Sequence, residues 1–190
     1  MKSRLIGLLV ILVLLAVGYI TYAYRYRLAA KIWHLRHGYS AAMGNYVVPV
    51  PEHWLILGES SVAFTLVNTS PKRFMQDGKF HTTAVINVFP FRDRIIEPNR
   101  MAFWVSLQKQ RLASEQAESV EEKTLKFGDE SVTCVGGPEL NALDKRPNHP
   151  RMDVVSLNCM SEHGLNVLFV GEPSDVQPFY SFLSQIRRKS

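Results

Sequence analysis

Residues 5–24, LIGLLVILVLLAVGYITYAY, contain no charged side chain. At about 1.5 Å per residue, a helix over this stretch spans roughly 30 Å, the thickness of a bilayer's hydrocarbon core. The segment reads as a transmembrane helix and commits the chain to a membrane. Tyr19, Tyr22, Tyr24 and Tyr26 crowd its C-terminal end, where amphipathic rings favour the interface. A cleaved signal peptide is the competing reading, with Leu5 to Leu15 as its apolar core and Ala16-Val17-Gly18 as the small residues a peptidase needs. The apolar run continues past that point into a cationic, aromatic belt, which favours an uncleaved anchor.

The net charge of +5 has the same origin. Lys2, Arg4, Arg25, Arg27, Lys31 and Arg36 are the basic residues up to position 51, and no acid accompanies them; the remaining 16 basic groups face 17 acidic ones. The excess sits beside lipid head groups and the rest of the chain is near neutral, so composition gives no support to nucleic-acid binding. Long domains translocate largely regardless of flanking charge, and the short N-terminal tail resembles a signal n-region, so the domain is expected on the exported side. A literal count of flanking cations points the other way.

Four segments follow from this reading: a tail at 1–4, the membrane helix at 5–24, a juxtamembrane helix and linker at 25–44, and one domain at 45–190. In the juxtamembrane helix Leu28, Ile32 and Leu35 form an apolar stripe. Arg25, Arg27, Lys31, Trp33 and Arg36 are its candidate membrane-interface residues. GYSAAMGN (38–45) reads as linker.

From Tyr46 the pattern is that of strands, first in VVPVPEHWLIL (47–57), whose two prolines mark an edge that breaks and re-forms, with Trp54 inward and His53 outward. A helix beginning at Pro98-Asn99 places Met101, Trp104, Val105 and Leu112 on one face, interrupted by Gln108. Gly128-Asp129 joins two strands in a tight hairpin, and two more strands follow a long loop. A final helix repeats Phe179, Phe182, Leu183 and Ile186, capped by Ser174 or Asp175, with Arg187, Arg188 and Lys189 at its negative end. Strands in antiparallel runs with helices packed on them make an α+β layered domain, and the 46% hydrophobic content supplies a core for it.

Cys134 and Cys159 fall on two segments that read as strands. If these are neighbours, a disulfide is within reach and requires an oxidising compartment; two separate buried thiols are the alternative. Neither cysteine has a second Cys at zinc-ligand spacing.

The order of elements, with Pro-x-x-Trp at Pro51–Trp54 and the aromatic-aliphatic FYSFLSQI ending, resembles the PsbP-like family over residues 45–188. The resemblance implies an antiparallel sheet with packed helices, used as a binding or assembly module and not as an enzyme. It carries over no partner-contacting residues, because no motif here matches them.

No catalytic set is readable. GESSVA lacks the nucleophile-elbow pattern, the four histidines beyond residue 50 fall at strand ends or in loops, and Glu121 and Glu122 alternate across a strand. No phosphate loop or dinucleotide fingerprint occurs, so no cofactor or metal is expected. Basic residues gather in three loops: Lys72, Arg73 and Lys79; Arg92, Arg94 and Arg100; and the long loop, whose Lys145, Arg146, His149 and Arg151 are the candidate partner-binding set. The expected function is a single-pass membrane protein whose domain acts as an interaction or assembly module, its partners the bilayer and another protein. The alternative is a membrane-tethered enzyme, or a small-ligand or lipid binder, with a pocket near loop 136–153.

Overall fold

The computed structural model describes residues 2–59, 63–79, 81–90, 95–114, 120–127, 130–140 and 153–189. Helix α1 (Lys2–Ala23) carries the apolar run, and its stretch Ile6–Ala23, with a mean hydropathy of 2.5, is long and apolar enough to cross a membrane. Tyr24, at φ −95° and ψ 4°, departs from helical geometry and separates α1 from α2 (Arg25–His37). In chain order there follow β1 (Ser40–Met43), β2 (Tyr46–Pro49), β3 (Leu55–Glu59), β4 (Phe64–Thr69), α3 (Pro71–Asp77), β5 (Thr82–Pro90) and α4 (Pro98–Ser114). Then come β6 (Glu121–Phe127), β7 (Glu130–Leu140), β8 (Asp153–Ser161), β9 (Leu165–Gly171), α5 (Val176–Leu183) and β10 (Arg187–Arg188).

The class is α+β, with every strand pairing antiparallel. Among the described residues the strands form two sheets, one in the order β1-β2-β10 and one in the order β3-β4-β5-β9-β8-β7-β6. Side chains alternate across a strand, so Ala84, Ile86 and Val88 of β5 all point one way. The register then aligns Ile86 with Phe169 and Leu157, and Val88 with Val167, Cys159 and Cys134. This inner face is covered by Met43, Tyr46 and Val48 of the small sheet and by Phe179, Phe182 and Leu183 of α5. Phe169 and Phe179 stack at 4.6 Å. Each such side chain contributes about 1.5–3 kcal/mol on full burial, so this layer is the main source of stability. Gly136 is obligatory in it: a Cβ there would stand 1.9 Å from the Ser156 carbonyl oxygen.

The opposite face of the large sheet receives α4, with Leu112 buried and Met101, Trp104 and Val105 half-buried. Gln108, which interrupts that stripe, has a partner waiting: its Oε1 accepts from Asn158 Nδ2 at 2.8 Å.

Several expectations are revised. Ser40–Met43, which reads as linker, is a strand, because the Gly44-Asn45 turn (Gly44 φ 54°) folds it back onto β2. Residues 71–77 read as loop but form α3, with Pro71 in the first turn, Ser70 Oγ accepting from Arg73 N–H at 3.4 Å, and Gly78 closing the other end at φ 72°. The last helix stops at Leu183. Side chains of Ser184 and Gln185 donate to the Ser181 carbonyl, and Arg187-Arg188 leaves the helix to pair with β2. Asp175 makes no side-chain cap, and Pro173–Asp175 forms a 3-10 turn before α5.

The VVPVPEHWLIL stretch is also recast. β2 lies in the middle of the small sheet and not at an edge; the prolines end its pairing, Trp54 N–H donates to the Pro51 carbonyl at 3.0 Å, and the chain crosses to the large sheet, whose edge is β3. Trp54 is buried and His53 exposed, but the turn over 52–53 places them so and not strand alternation, since β3 begins only at Leu55.

Candidate functional site

The membrane-proximal surface is built from α1, α2 and α3. Phe74 of α3 lies 5.8 Å from the ring of Tyr19 and 5.5 Å from that of Tyr22, so the domain packs directly on the last turns of the apolar helix. Helix α2 is two-sided. Ala30 and His34 are 1% and 6% exposed and face the domain, whereas Leu28, Ile32 and Leu35 are 43%, 52% and 87% exposed. At 100° per residue those two sets stand on opposite faces.

His34 fastens the inner face, with Nδ1 2.9 Å from the Gly38 carbonyl and Nε2 3.2 Å from the Pro51 carbonyl. A neutral ring donates to one of the two, an imidazolium to both. The interface residues divide accordingly. Lys31 and Arg36 are exposed, and Arg25 lies over the Tyr22 and Tyr26 rings at 4.2 and 4.8 Å. Arg27 is half-buried. Trp33 is half-buried, packed against the core and stacked on His37 at 4.9 Å.

Cys134 and Cys159 stand directly opposite on β7 and β8, with Cα atoms 3.9 Å apart, and are joined as a disulfide. Both lie in the core.

A second polar feature, which the sequence did not single out, joins the two sheets. Glu130, 5% exposed, receives the Tyr46 hydroxyl at 3.3 Å; Ser161 Oγ lies 3.4 Å from Tyr46 and accepts from Leu165 N–H. Arg188 of β10 approaches the other carboxylate oxygen at 4.0 Å. Burial, reinforced by the Glu130 charge and opposed by Ser161, pushes the Tyr46 phenol up to about 12. It therefore stays protonated and donating at neutral pH, which suits a latch better than an acid or base.

A groove of about 660 Å³ lies between α4 and the β6–β7 hairpin. Ile96, Met101 and Val105 form its wall, and Thr124, Ser131 and Thr133 its floor. It lies toward the hairpin end of β7 and away from the 136–140 end, where the pocket was expected. A smaller cavity of about 400 Å³ lies between the Pro49–Pro51 segment and α5, with Tyr39, Trp54 and Phe182 on its walls.

The candidate partner loop, Lys145, Arg146, His149 and Arg151, lies outside the described residues, as do Arg92 and Arg94. Lys72 and Arg73 stand on α3, where Arg73 is paired with Glu172, and Arg100 stands on α4. The three basic clusters are thus not assembled into one rim by any described contact. Asp77, held below the usual carboxylate range by the Lys79 N–H and then by His81, makes its own local pair with His81 at 2.6 Å. No group of three His, Cys, Asp or Glu side chains suited to a metal occurs among the described residues. No family model matches the chain, and no curated protein matches it.

Proposed function

We propose that this chain is a single-pass membrane protein whose α+β domain sits on the oxidising, exported side of the membrane and serves as an interaction or assembly module, without enzymatic activity of its own. The observation that carries this reading is the packing of Phe74 against Tyr19 and Tyr22, which seats the domain on the end of an apolar helix. The exported side is supported by the Cys134–Cys159 bridge, since disulfides persist where thiols are not kept reduced.

The exposed stripe of α2, flanked by Lys31, Arg25 and Arg36, fits the interface of an anionic leaflet. The PsbP-like resemblance remains our working family, resting on Pro51–Trp54 and the closing aromatic helix. Chemical cross-linking in native membranes tests the interaction role: specific protein neighbours joined to the domain are expected. Recovery of only uncross-linked protein, together with turnover in a broad substrate screen, would contradict it.

A further inference from the structure

The groove between α4 and the β6–β7 hairpin is chemically ordered along its length. Its wall is aliphatic, and Ile95, 75% exposed, extends that wall as an outer lip. Hydroxyls make the floor: Thr124 and Thr133 stand directly opposite each other on β6 and β7, and Ser131 follows two residues away on the same face. Carboxylates close the ends. Glu122 precedes Thr124 by two residues, and Glu162, whose N–H donates to the Ser131 carbonyl, stands at the far end.

Ser131 pairs with Lys126, so the two acids are separated by four residues of β6, about 13 Å along the strand at ~3.3 Å per residue. Lys109 bonds Glu122 at 2.7 Å from outside the groove. Lys126 shares the strand face but stands two strands from Glu162 and does not line the groove, and among the described residues no cation is paired with the Glu162 carboxylate.

An apolar trough of this length with acids at its ends is complementary to an extended polypeptide. Three or four residues occupy about 13 Å, their apolar side chains meet the aliphatic wall, and a cationic side chain reaches a terminal carboxylate. A fatty acid or anionic lipid meets the wrong charge at the Glu162 end, where no described cation offsets the carboxylate. We infer that the groove docks an extended apolar segment of a partner protein, bearing a lysine or arginine placed to reach Glu162. This rests on the domain being an interaction module and gives that module a location and a partner chemistry.

The test uses the full chain in phosphatidylcholine nanodiscs, titrated against two dye-labelled peptides, GKVLVKG and GEVLVEG, with fluorescence anisotropy as readout and empty nanodiscs as the blank. The lysine peptide is expected to bind at least tenfold more tightly than the acidic one. Glu162→Gln weakens it about fivefold, the upper range for an exposed ion pair. Ala102→Trp, which fills the groove from an exposed helical position, removes binding while leaving the thermal melt unchanged.

Equal binding of the two peptides overturns the inference, as does undiminished binding to Ala102→Trp. Displacement of the lysine peptide by dansylated undecanoic acid assigns the groove to lipid and overturns it too. Cross-linking in native membranes separates this failure from that of the broader reading. Neighbours that persist unchanged in Ala102→Trp refute the groove and leave the module standing, whereas a wild-type domain with no neighbours refutes the module.

Discussion

Tyr46 shows how a single residue joins two layers. Its phenol donates to a nearly buried carboxylate on a strand of the other sheet, and the folded state holds it protonated to about pH 12, against an ordinary value near 10. The native state binds this proton more tightly than the unfolded chain does. The stability it confers is therefore complete below pH 10 and is lost as pH rises from 10 to 12, on the order of 2–3 kcal/mol. Denaturant titrations of wild type and Tyr46→Phe across that window should show the wild type losing this advantage, and parallel curves would contradict the latch. The disulfide is a second residue-scale constraint. It closes a sequence separation of 25, worth about 3.5 kcal/mol by loop entropy, so Cys134→Ala/Cys159→Ala should lower unfolding stability by roughly that amount. The two cysteines were legible as strand residues, but their pairing needed the register of β7 on β8, which no local pattern encodes. Glu130 was not legible at all: beside a Gly-Asp turn an acid reads as solvated, and only the approach of Tyr46, 84 positions away, makes it internal.

At the scale of elements, local signals succeeded where the periodicity was long and failed where a short element depended on its ends. The apolar run of α1 and the alternation in β5 and β9 could be read directly. Helix α3 carries Ser, Pro and Gly in the capping order, yet its seven residues are too few for a periodic signal. Ser70→Ala should destabilise the protein by about 1 kcal/mol, read from thermal unfolding, while the same change at the exposed Ser106 of α4 should be near neutral. Helix α2 was legible as amphipathic but only half understood. Its apolar stripe faces away from the domain, and the side that packs is carried by a small residue and a histidine, types that hydrophobic pattern reading passes over. His34→Ala removes both contacts to backbone carbonyls and should cost about 1–3 kcal/mol, with faster protease cleavage between α2 and β1 as the structural readout. The last helix was drawn one turn too long, because Ile186 keeps the helical spacing while lying beyond the end of α5, in a turn whose N–H donates to the Leu183 carbonyl just before β10.

At the scale of the whole molecule, the fold class was legible and the sheet partition was not. Prolines at 49 and 51 suggested one broken edge strand; they mark the crossing between two sheets, a choice set by how β10 returns from the far end of the chain to pair with β2. The groove was missed for the same reason, since its wall, floor and ends come from α4, the β6–β7 hairpin and the turn after β8. What unites the molecule is an apolar helix with a disulfide-stapled domain seated on its end. Intact-mass spectrometry of the chain from alkali-washed membranes, denatured in excess maleimide without reductant and again after reduction, tests this most directly. The expected result is a membrane-retained chain that keeps its first 24 residues, with no maleimide added before reduction and two added after it. A chain shortened near residue 18, or one carrying two maleimides without reduction, would contradict it.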